Sequence, residues 1–419
     1  MNETSSSTPS TLISVGPNQT RRAFLRTTTT AVVATSLASL PAASRPVAAA
    51  EEPKIRRYSR LGRTGLEISD ISYGSSRTTD PALVRHALER GINYFDTAES
   101  YKSGRSEESI GEALVGHRAG VILASKTSAK ARTNRTALMS ALEGSLRRLR
   151  TDNIDIYFNH AVNNVNRLRN EEWYSFAEAA KKQGKIRFTG ISGHGGNLVE
   201  CIDEAVANDL VDVILVGYNF GQDPAFYQRF VRNFDFVALQ TGLTDALDRA
   251  RKKDVGVIAM KTLRGARLND MRPYEFGGAT TAQAAFRWTL QGNHVDALIV
   301  SMTSKEKIDE YVGASGGPRP NAAELDWLDR YLASSPEGYC EHGCNLCESS
   351  CPAGVAISEV LRTRMYDRDY RDPELAREDY ARLESNAAPC LDCPAPCTGS
   401  CPAGIDIGRL TRETHRTLT

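Results

Sequence analysis

The chain has 419 residues, and its 52 Lys and Arg nearly balance its 51 Asp and Glu, so the formal net charge is +1. This balance gives no indication of nucleic-acid binding, which usually leaves a basic excess. Without residues 1–50, which hold four Arg and one Glu, the net charge becomes −2, and the remaining 369 residues are enough to bury a large core.

The first 50 residues are typical of a twin-arginine export signal. Arg21 and Arg22 precede a Thr- and Ala-rich apolar stretch at residues 27–40, and residues 48–50, all Ala, offer a cleavage site. A chance Arg pair in a disordered tail is the alternative. The stretch is short and weakly apolar, and no later segment approaches the roughly 20 apolar residues of a membrane span, so we expect no stable span. We therefore expect export to the periplasm by the twin-arginine machinery, a route that carries folded proteins.

Short apolar runs then alternate with amphipathic ones up to about residue 320. Strands are predicted at residues 71–73, 94–96, 121–126, 154–159, 186–191, 213–216, 257–261 and 297–300. Helices are predicted between them, at residues 83–89, 109–115, 137–149, 172–182, 198–207, 226–233 and 282–290. Eight strand–helix repeats over about 250 residues predict an α/β fold, a (β/α)8 TIM barrel over residues 51–320. An open doubly wound sheet is the alternative, and the absence of G-x-G-x-x-G after the first strand disfavours it.

Four polar residues fall at or just beyond the ends of these strands. Asp96 ends the second strand, Tyr101 follows it, Lys126 ends the third, and His160 directly follows the fourth. The active site of a TIM barrel lies at the carboxyl ends of its strands, so we expect these side chains to meet there. Any one of them could instead be a satisfied polar contact, but the four together in this order favour a catalytic site.

These positions resemble the aldo-keto reductases. The resemblance covers about residues 58–314 and includes YSRLGRTGLEIS, FDTAESY, ASKT and IDIYFNH in family order. It implies that Tyr101 is the acid that protonates a carbonyl oxygen as hydride arrives. A phenol has a pKa of about 10, and the charge of Lys126 would lower it. Asp96 would hold the lysine, and His160 would orient the carbonyl. The implied substrate is a small-molecule carbonyl or alcohol.

The resemblance also implies a nicotinamide cofactor, NADP or NAD. The candidate cofactor-binding residues are Ser192, His194, Tyr218, Lys261 and Lys307. Tyr218 matches the aromatic residue that stacks on the nicotinamide ring, although it could be an ordinary core tyrosine. Leu215 stands where the family usually has a Gln that binds the carboxamide, and His194 could take over that bond. Lys307 aligns with the Arg that contacts the 2′-phosphate, but a lone Lys is often only solvated, so the choice between NADP and NAD stays open.

Eight of the nine cysteines lie in the last eighty residues, in two tetrads. The tetrads are Cys340-x3-Cys344-x2-Cys347-x3-Cys351 and Cys390-x2-Cys393-x3-Cys397-x3-Cys401. Each closes on Cys-Pro-Ala-Gly, and a Cys-Pro close is typical of the cluster-binding runs of bacterial ferredoxins, although each run here is one residue longer than usual. Residues 321–419 are therefore predicted to hold a linker helix and a ferredoxin-like module with two [4Fe-4S] clusters. Zinc and disulfides are the alternatives, but neither requires the repeated Cys-Pro.

Together these features predict an exported oxidoreductase whose clusters pass electrons to a redox partner protein. The alternative is an electron-transfer or redox-interaction protein in which the barrel is a scaffold, because a fold alone does not fix a function. Nicotinamide moves two electrons as hydride and a cluster moves one, and the chain has no recognisable motif for a flavin that would mediate between them.

Overall fold

Eight parallel strands close into a barrel in which sequential strands are neighbours and the last strand pairs with the first. The computed structural model describes residues 52–222, 242–264, 270–333, 340 and 344–419. The predicted export signal and the predicted helix at residues 226–233 lie outside these ranges.

The described helices and strands, apart from short 3-10 turns, are as follows. In chain order they are β1 (Tyr58–Leu61), β2 (Leu66–Ser69), β3 (Ile71–Gly74), α1 (Pro81–Glu89), β4 (Tyr94–Asp96), α2 (Arg105–Ala113), β5 (Ile122–Thr127), α3 (Arg135–Arg148), β6 (Ile154–Asn159), α4 (Val165–Leu168), α5 (Glu171–Lys182), β7 (Ile186–Gly193), α6 (Leu198–Ala207), β8 (Val213–Gly217), α7 (Leu243–Lys252), β9 (Gly256–Met260), α8 (Thr281–Gln291), β10 (Ala297–Ser301), α9 (Lys305–Val312), α10 (Ala322–Ala333), α11 (Ile357–Arg368), α12 (Pro373–Ala381) and α13 (Ile407–Leu418).

The barrel strands are buried on both faces. Every residue of β5, β6 and β8 is buried, as expected for parallel strands that have side chains inside the barrel and helices outside it. The register pairs Lys126 with Phe158 and Thr127 with Asn159, so β5 and β6 end level with each other. All eight predicted strands are confirmed within two residues, and polar side chains at their carboxyl ends are thereby brought to one rim.

A hairpin that the sequence analysis did not predict closes the opposite end. Strands β1 and β2 pair antiparallel, and Leu61, Leu66 and Ile68 join the apolar cluster inside the barrel. The turn passes Gly62, whose φ is +44°, and a Cβ there would lie 2.2 Å from the amide nitrogen of Gly256, the first residue of β9. Only glycine fits this close approach.

Side-chain caps fix several helix starts on the outside of the barrel. The Asp80 side chain accepts a hydrogen bond from the Ala82 amide at 2.8 Å, and Pro81 begins α1. Thr280 and Gln283 form a reciprocal capping box at the start of α8. These caps mark helix starts that agree with the periodic strand–helix pattern of the sequence.

The cysteine-rich segment forms an apolar cluster of its own. Helices α11, α12 and α13 contribute most of it, with Val360, Leu375 and Leu410 among its buried members. Helix α10, the predicted linker helix, packs on the barrel through Trp327 and Tyr331. No helix in the described ranges is both long and apolar enough to cross a membrane.

Charged contacts join the cysteine-rich module to the barrel loop that follows β4. Lys102 Nζ lies 2.7 Å from both carboxylate oxygens of Asp372, and Ser103 donates to Glu378 at 2.6 Å. Both Lys102 and Ser103 have left-handed backbone conformations, with φ of 52° and 54°. Such conformations cost free energy and persist when surrounding contacts hold them. The module therefore helps to hold the loop that begins at Tyr101.

Candidate active site

The four predicted catalytic residues meet at the carboxyl rim of the barrel. Asp96, Tyr101, Lys126 and His160 all line one cavity of about 1120 Å³. Asp96 is the last residue of β4 and Lys126 lies near the end of β5. His160 follows β6, where its backbone amide donates to the Thr127 carbonyl at 2.8 Å. The barrel thus places on one surface residues that are up to 64 positions apart in the sequence.

Lys126 and Asp96 form a buried ion pair at the floor of the cavity. Each side chain is 1% exposed, Lys126 Nζ donates to Asp96 Oδ1, and it also donates to the Thr97 carbonyl at 2.7 Å. Burial raises the pKa of Asp96 and lowers the pKa of Lys126, and each charge opposes the shift of the other. A buried charge is costly unless paired, so each residue of the pair requires the other.

The aromatic pair of the site lies above this ion pair. The centroid of the Tyr101 ring is 5.1 Å from Lys126 Nζ and 5.6 Å from the centroid of the His160 ring, with an interplanar angle of 80°. Burial raises the pKa of Tyr101 well above its usual value, and the charges of Asp96 and Asp379 add to this effect. The pKa of Tyr101 is therefore raised overall, and the predicted lowering by Lys126 does not outweigh burial. The phenol is protonated in this arrangement, which suits an acid.

His160 is neutral at physiological pH. Burial lowers its pKa to about 3, and the charge of Lys126 acts in the same direction. A neutral imidazole carries one N–H that can donate a hydrogen bond, so His160 can hold an oxygen atom without competing with Tyr101 as an acid.

This shift predicts a pH dependence of stability. Because the folded-state pKa lies below the ordinary value of 6.5, the unfolded chain binds the proton first as the pH falls. The pH-dependent contribution of His160 to the free energy of unfolding is complete above pH 6.5. It is lost as the pH falls from 6.5 to 3. We expect wild type to lose up to about 2 kcal/mol more unfolding free energy between pH 7 and pH 5 than His160→Gln, which cannot titrate. Urea unfolding of both proteins measures this difference. Equal losses of unfolding free energy would show that the pKa of His160 is not lowered in the folded protein.

Four of the five predicted cofactor residues line the same cavity, namely Ser192, His194, Lys261 and Lys307. Ser192 Oγ accepts from the Ala161 amide at 3.0 Å. His194 Nδ1 lies 3.5 Å from Glu359 Oε1, and Lys307 Nζ pairs with Glu310 at 2.7 Å. Each of these three thus has a protein partner in addition to any role towards a ligand.

Lys261 differs from the other three. Its φ is +58°, and its Nζ is buried without a hydrogen-bond partner among the described residues. Burial lowers the pKa of Lys261 to about 7, and the charge of Arg362 contributes to that shift. A buried, unpartnered amine at the edge of a cavity is a donor available to a bound anion.

Tyr218 is not brought to the cavity wall. Its side chain is 2% exposed, and its ring packs 5.6 Å from Trp288 and 6.0 Å from His294, in the layer between strands and helices. Tyr218 is not among the residues that line the cavity, and its support of a nicotinamide ring stays a prediction. Leu215, where the family usually has Gln, lies inside the barrel in the apolar cluster.

The sequence profile of the aldo/keto reductase family matches residues 65–318, more than half of the chain. The chain belongs to the aldo/keto reductase family. This family match covers the strand ends that carry Asp96, Tyr101, Lys126 and His160, so the resemblance seen in the sequence is confirmed for the barrel and not for the cysteine-rich module.

Several characterised and uncharacterised proteins are similar to this aldo/keto reductase. L-galactose dehydrogenase of Arabidopsis thaliana is 25% identical over 335 residues, covering 70% of this chain and 97% of that protein. Methylglyoxal reductase YeaE of Escherichia coli (strain K12) is 40% identical over 118 residues, covering 28% of this chain and 40% of that protein. The match to the uncharacterized oxidoreductase YqkF of Bacillus subtilis (strain 168) is 32% identical and spans about half, 51%, of that protein.

Solved structures share the barrel. An aldo-keto reductase from Bacillus halodurans in its holo form has a TM-score of 0.52 and 22% identity, covering 66% of this chain and 96% of that chain, which shows the fold alone. An aldo/keto reductase from Klebsiella pneumoniae, in complex with NADP and acetate, has a TM-score of 0.50 and 25% identity, covering 68% of this chain and 97% of that chain.

The cysteine-rich module supplies part of this reductase cavity, which was not predicted from the sequence. The cavity is also lined by Arg362 and Tyr366 of α11, Asp379 of α12 and the following Arg382. Arg362 donates to Glu359 at 2.7 and 2.9 Å, to the Tyr366 oxygen at 2.5 Å and to Asp379 at 2.9 Å. We call Arg362, Tyr366, Asp379 and Arg382 the roof residues. The sequence signal for these residues was the charged, tyrosine-rich helical pattern of residues 358–383, which favoured packing on the barrel but indicated no role at the cavity.

The two cysteine tetrads are adjacent in the module. Ser350 and Ser400, each directly before the last cysteine of its tetrad, are 2.7 Å apart. Cys347 and Cys397 are buried, and burial raises the pKa of Cys347 to about 12, with the nearby Cys401 of the other tetrad contributing. Among the described residues, no disulfide joins two cysteines, and no three His, Cys, Asp or Glu side chains form a group that could hold a metal ion.

Proposed function

We propose that this aldo/keto reductase interconverts a small carbonyl compound and its alcohol, with NADP(H) as the hydride carrier. The observation that carries the proposal is the convergence of Tyr101, Lys126, Asp96 and His160 on one cavity. The similar Klebsiella pneumoniae reductase is described with NADP. The names of the relatives include both a dehydrogenase and a reductase, so the proposal covers both directions.

The cavity residues fit a phosphate-bearing cofactor. The buried amine of Lys261 has no hydrogen-bond partner among the described residues and would bind an anionic group, and Ser192 and His194 lie on the same wall. Lys307 forms an ion pair with Glu310, and it would have to give up or weaken that ion pair to bind a 2′-phosphate. When bound, the nicotinamide would supply or accept a hydride at the substrate carbon.

The chain's own residues would supply the proton and hold the oxygen. His160, neutral and a donor, would hold the carbonyl oxygen, and Tyr101, protonated, would transfer its proton to that oxygen as negative charge develops. The phenolate left behind would be stabilised by the Lys126 ammonium, 5.1 Å from the ring centroid. Asp96 would keep that ammonium charged inside the barrel. Oxidation of an alcohol would run the same proton transfer backwards.

An assay of purified protein tests this function. NADPH and NADH would be followed by absorbance with a panel of aldehydes and ketones, and NADP and NAD with the matching alcohols. We expect carbonyl-dependent oxidation of NADPH, faster than that of NADH. Absence of turnover with every pair, in protein shown to be folded and to hold its iron, would refute the proposed function.

We also propose that the eight tetrad cysteines hold two [4Fe-4S] clusters. The hydroxyls of Ser350 and Ser400 are in hydrogen-bond contact, so the Cys-Pro closes of the two tetrads lie side by side. This arrangement supports two clusters packed next to each other. Backbone amides donate to the sulfur of Cys351 at 3.3 Å and of Cys393 at 3.4 Å, the kind of contact that stabilises a thiolate. The proposal of clusters rather than zinc rests on the repeated Cys-Pro close of the two tetrads, which a zinc site does not require.

A second function, electron transfer to a partner protein, is favoured by one feature of the cavity. Glu348, Val355 and Ala356 flank the first tetrad's Cys-Pro closure and also line the catalytic cavity. Clusters held there would lie close to the substrate. Anaerobic mixing of the protein with NADPH distinguishes an electron-transfer role of the clusters from a structural one. An EPR signal of reduced clusters would support electron transfer. Carbonyl turnover with EPR-silent clusters would support a structural role.

Export by the twin-arginine route remains a proposal that rests on the sequence of residues 1–50. Changing Arg21 and Arg22 together to Lys keeps the positive charge and removes the specific pair. We expect the double variant to stay in the cytoplasm while wild type reaches the periplasm, as measured by fractionation and immunoblotting. Undiminished periplasmic protein in the variant would contradict this route.

A further inference from the structure

The roof residues face the catalytic side chains across the cavity. The Asp379 carboxylate is close enough to raise the pKa of Tyr101 and to oppose the lowering of the pKa of His160. Tyr366 and Arg382 also act on Tyr101 electrostatically. A substrate carbonyl held by Tyr101 and His160 would therefore have its neighbouring carbon atoms under the roof residues.

Asp379 is held in place by two arginines. Its Oδ2 accepts from Arg362 at 2.9 Å and its Oδ1 accepts from Arg382 at 3.0 Å. Arg382 also donates to the backbone carbonyl of Ser100, directly before Tyr101, at 2.9 Å. Burial acts to raise the pKa of Asp379, but the two arginines outweigh it and hold that pKa below its ordinary value. The carboxylate is thus charged, oriented and tied to the loop that carries the acid.

The chemistry of this wall suits hydroxyl groups. A carboxylate has about four lone-pair sites, and the two arginines account for two of those of Asp379. A charged acceptor beside arginine donors matches a hydroxyl, which both donates and accepts. Basic and acidic residues are interspersed around the cavity, so it does not select for an anionic or cationic substrate as a whole.

We propose that Asp379, supplied by the cysteine-rich module, is a specificity-determining residue that accepts hydrogen bonds from hydroxyl groups beside the reacting carbon. The substrate class is then a short polyhydroxylated aldehyde or ketone, or the corresponding polyol. The inference rests on the proposed carbonyl–alcohol activity and adds to it the part played by the module.

The test compares glyceraldehyde with propanal, which has the same carbon chain without the two hydroxyls. Asp379→Asn keeps the shape of the side chain and removes its charge. We expect kcat/KM for glyceraldehyde to fall about 10- to 100-fold more than kcat/KM for propanal, because only glyceraldehyde loses hydrogen bonds to a charged group, whereas both aldehydes share the effect of the lost charge on Tyr101 and His160. Glu374→Gln is the matched control, since Glu374 lies on the same helix and pairs with Arg105 at the exposed interface, outside the cavity lining.

Retained turnover of propanal shows that the variant is folded. Equal losses with both aldehydes, or no loss with either, would overturn the inference while leaving the proposed function intact. If Asp379→Asn does not fold, as judged by circular dichroism, Tyr366→Phe takes its place, because it removes a roof hydroxyl that accepts from Arg362. Its selective loss of glyceraldehyde turnover would support the inference, and an equal loss would refute it. Failure of wild type to turn over glyceraldehyde while it turns over other members of the carbonyl panel would also overturn the inference, whereas absence of turnover with the whole panel would refute the proposed function itself.

Discussion

Replacing Tyr101 with Phe lowers kcat for carbonyl reduction by roughly 10²-fold or more, the usual contribution of a positioned acid, while KM changes little. The substitution removes only the hydroxyl. A phenylalanine ring in the same place can keep the contacts of the tyrosine ring. The ring centroid lies 5.6 Å from that of His160 and 5.1 Å from Lys126 Nζ. Steady-state kinetics with the preferred aldehyde measures the loss.

Tyr58→Phe is the matched control for this substitution. Tyr58 lies in the hairpin at the opposite end of the barrel, and its hydroxyl donates to the Gly91 carbonyl at 2.7 Å. The control loses one phenol hydrogen bond and should keep its kcat within about twofold, since exposed hydrogen bonds contribute little. If Tyr101→Phe keeps the rate of wild type, the phenol is not the acid.

Replacing Cys347 or Cys397 with Ser, the most buried cysteine of each tetrad, is expected to remove one cluster. Iron would fall from about eight to about four atoms per chain in each single variant, and both clusters would be lost in the double variant. Helices α11 and α12 connect the two tetrads and carry the roof residues. Loss of both clusters should therefore also lower kcat/KM by roughly tenfold or more, because the cavity loses its ordered wall.

Iron and sulfide analysis with EPR of the dithionite-reduced protein measures the cluster content. Cys201→Ala is the control: Cys201 is buried in α6 against the barrel, and burial raises its pKa to about 12. It should retain all its iron. A colourless wild-type protein without iron, after anaerobic reconstitution, would contradict the cluster proposal.

The barrel and the meeting of the candidate catalytic residues at one rim could be predicted because their signals are local. Each strand is a short apolar run, and the polar residue that ends it is adjacent in sequence, so strand order alone brings Asp96, Lys126 and His160 to one rim. The hairpin at the other end was missed because its two strands precede the strand–helix repeats and pair with each other. Its apolar side chains fill the barrel but give no long alternating pattern.

The roof could not be predicted because it depends on contacts between distant segments. Asp379 lies 278 positions after Tyr101, and a charged helical segment usually indicates a solvated surface. Only the docking of the module turns Arg362 and Asp379 inward. Tyr218 shows the opposite case: its sequence position matched a stacking residue, but it follows the end of β8 and its ring packs against Trp288 between strands and helices.

The fate of the hydride tests the central proposal most directly. Reduction of an aldehyde with NADPH that carries deuterium at both positions of nicotinamide C4 would be analysed by mass spectrometry and NMR of the product alcohol. Direct transfer in the barrel predicts one deuterium per molecule on the former carbonyl carbon and one molecule of NADPH oxidised per alcohol formed. A product without deuterium, or NADPH oxidised without product while the clusters become reduced, would contradict it.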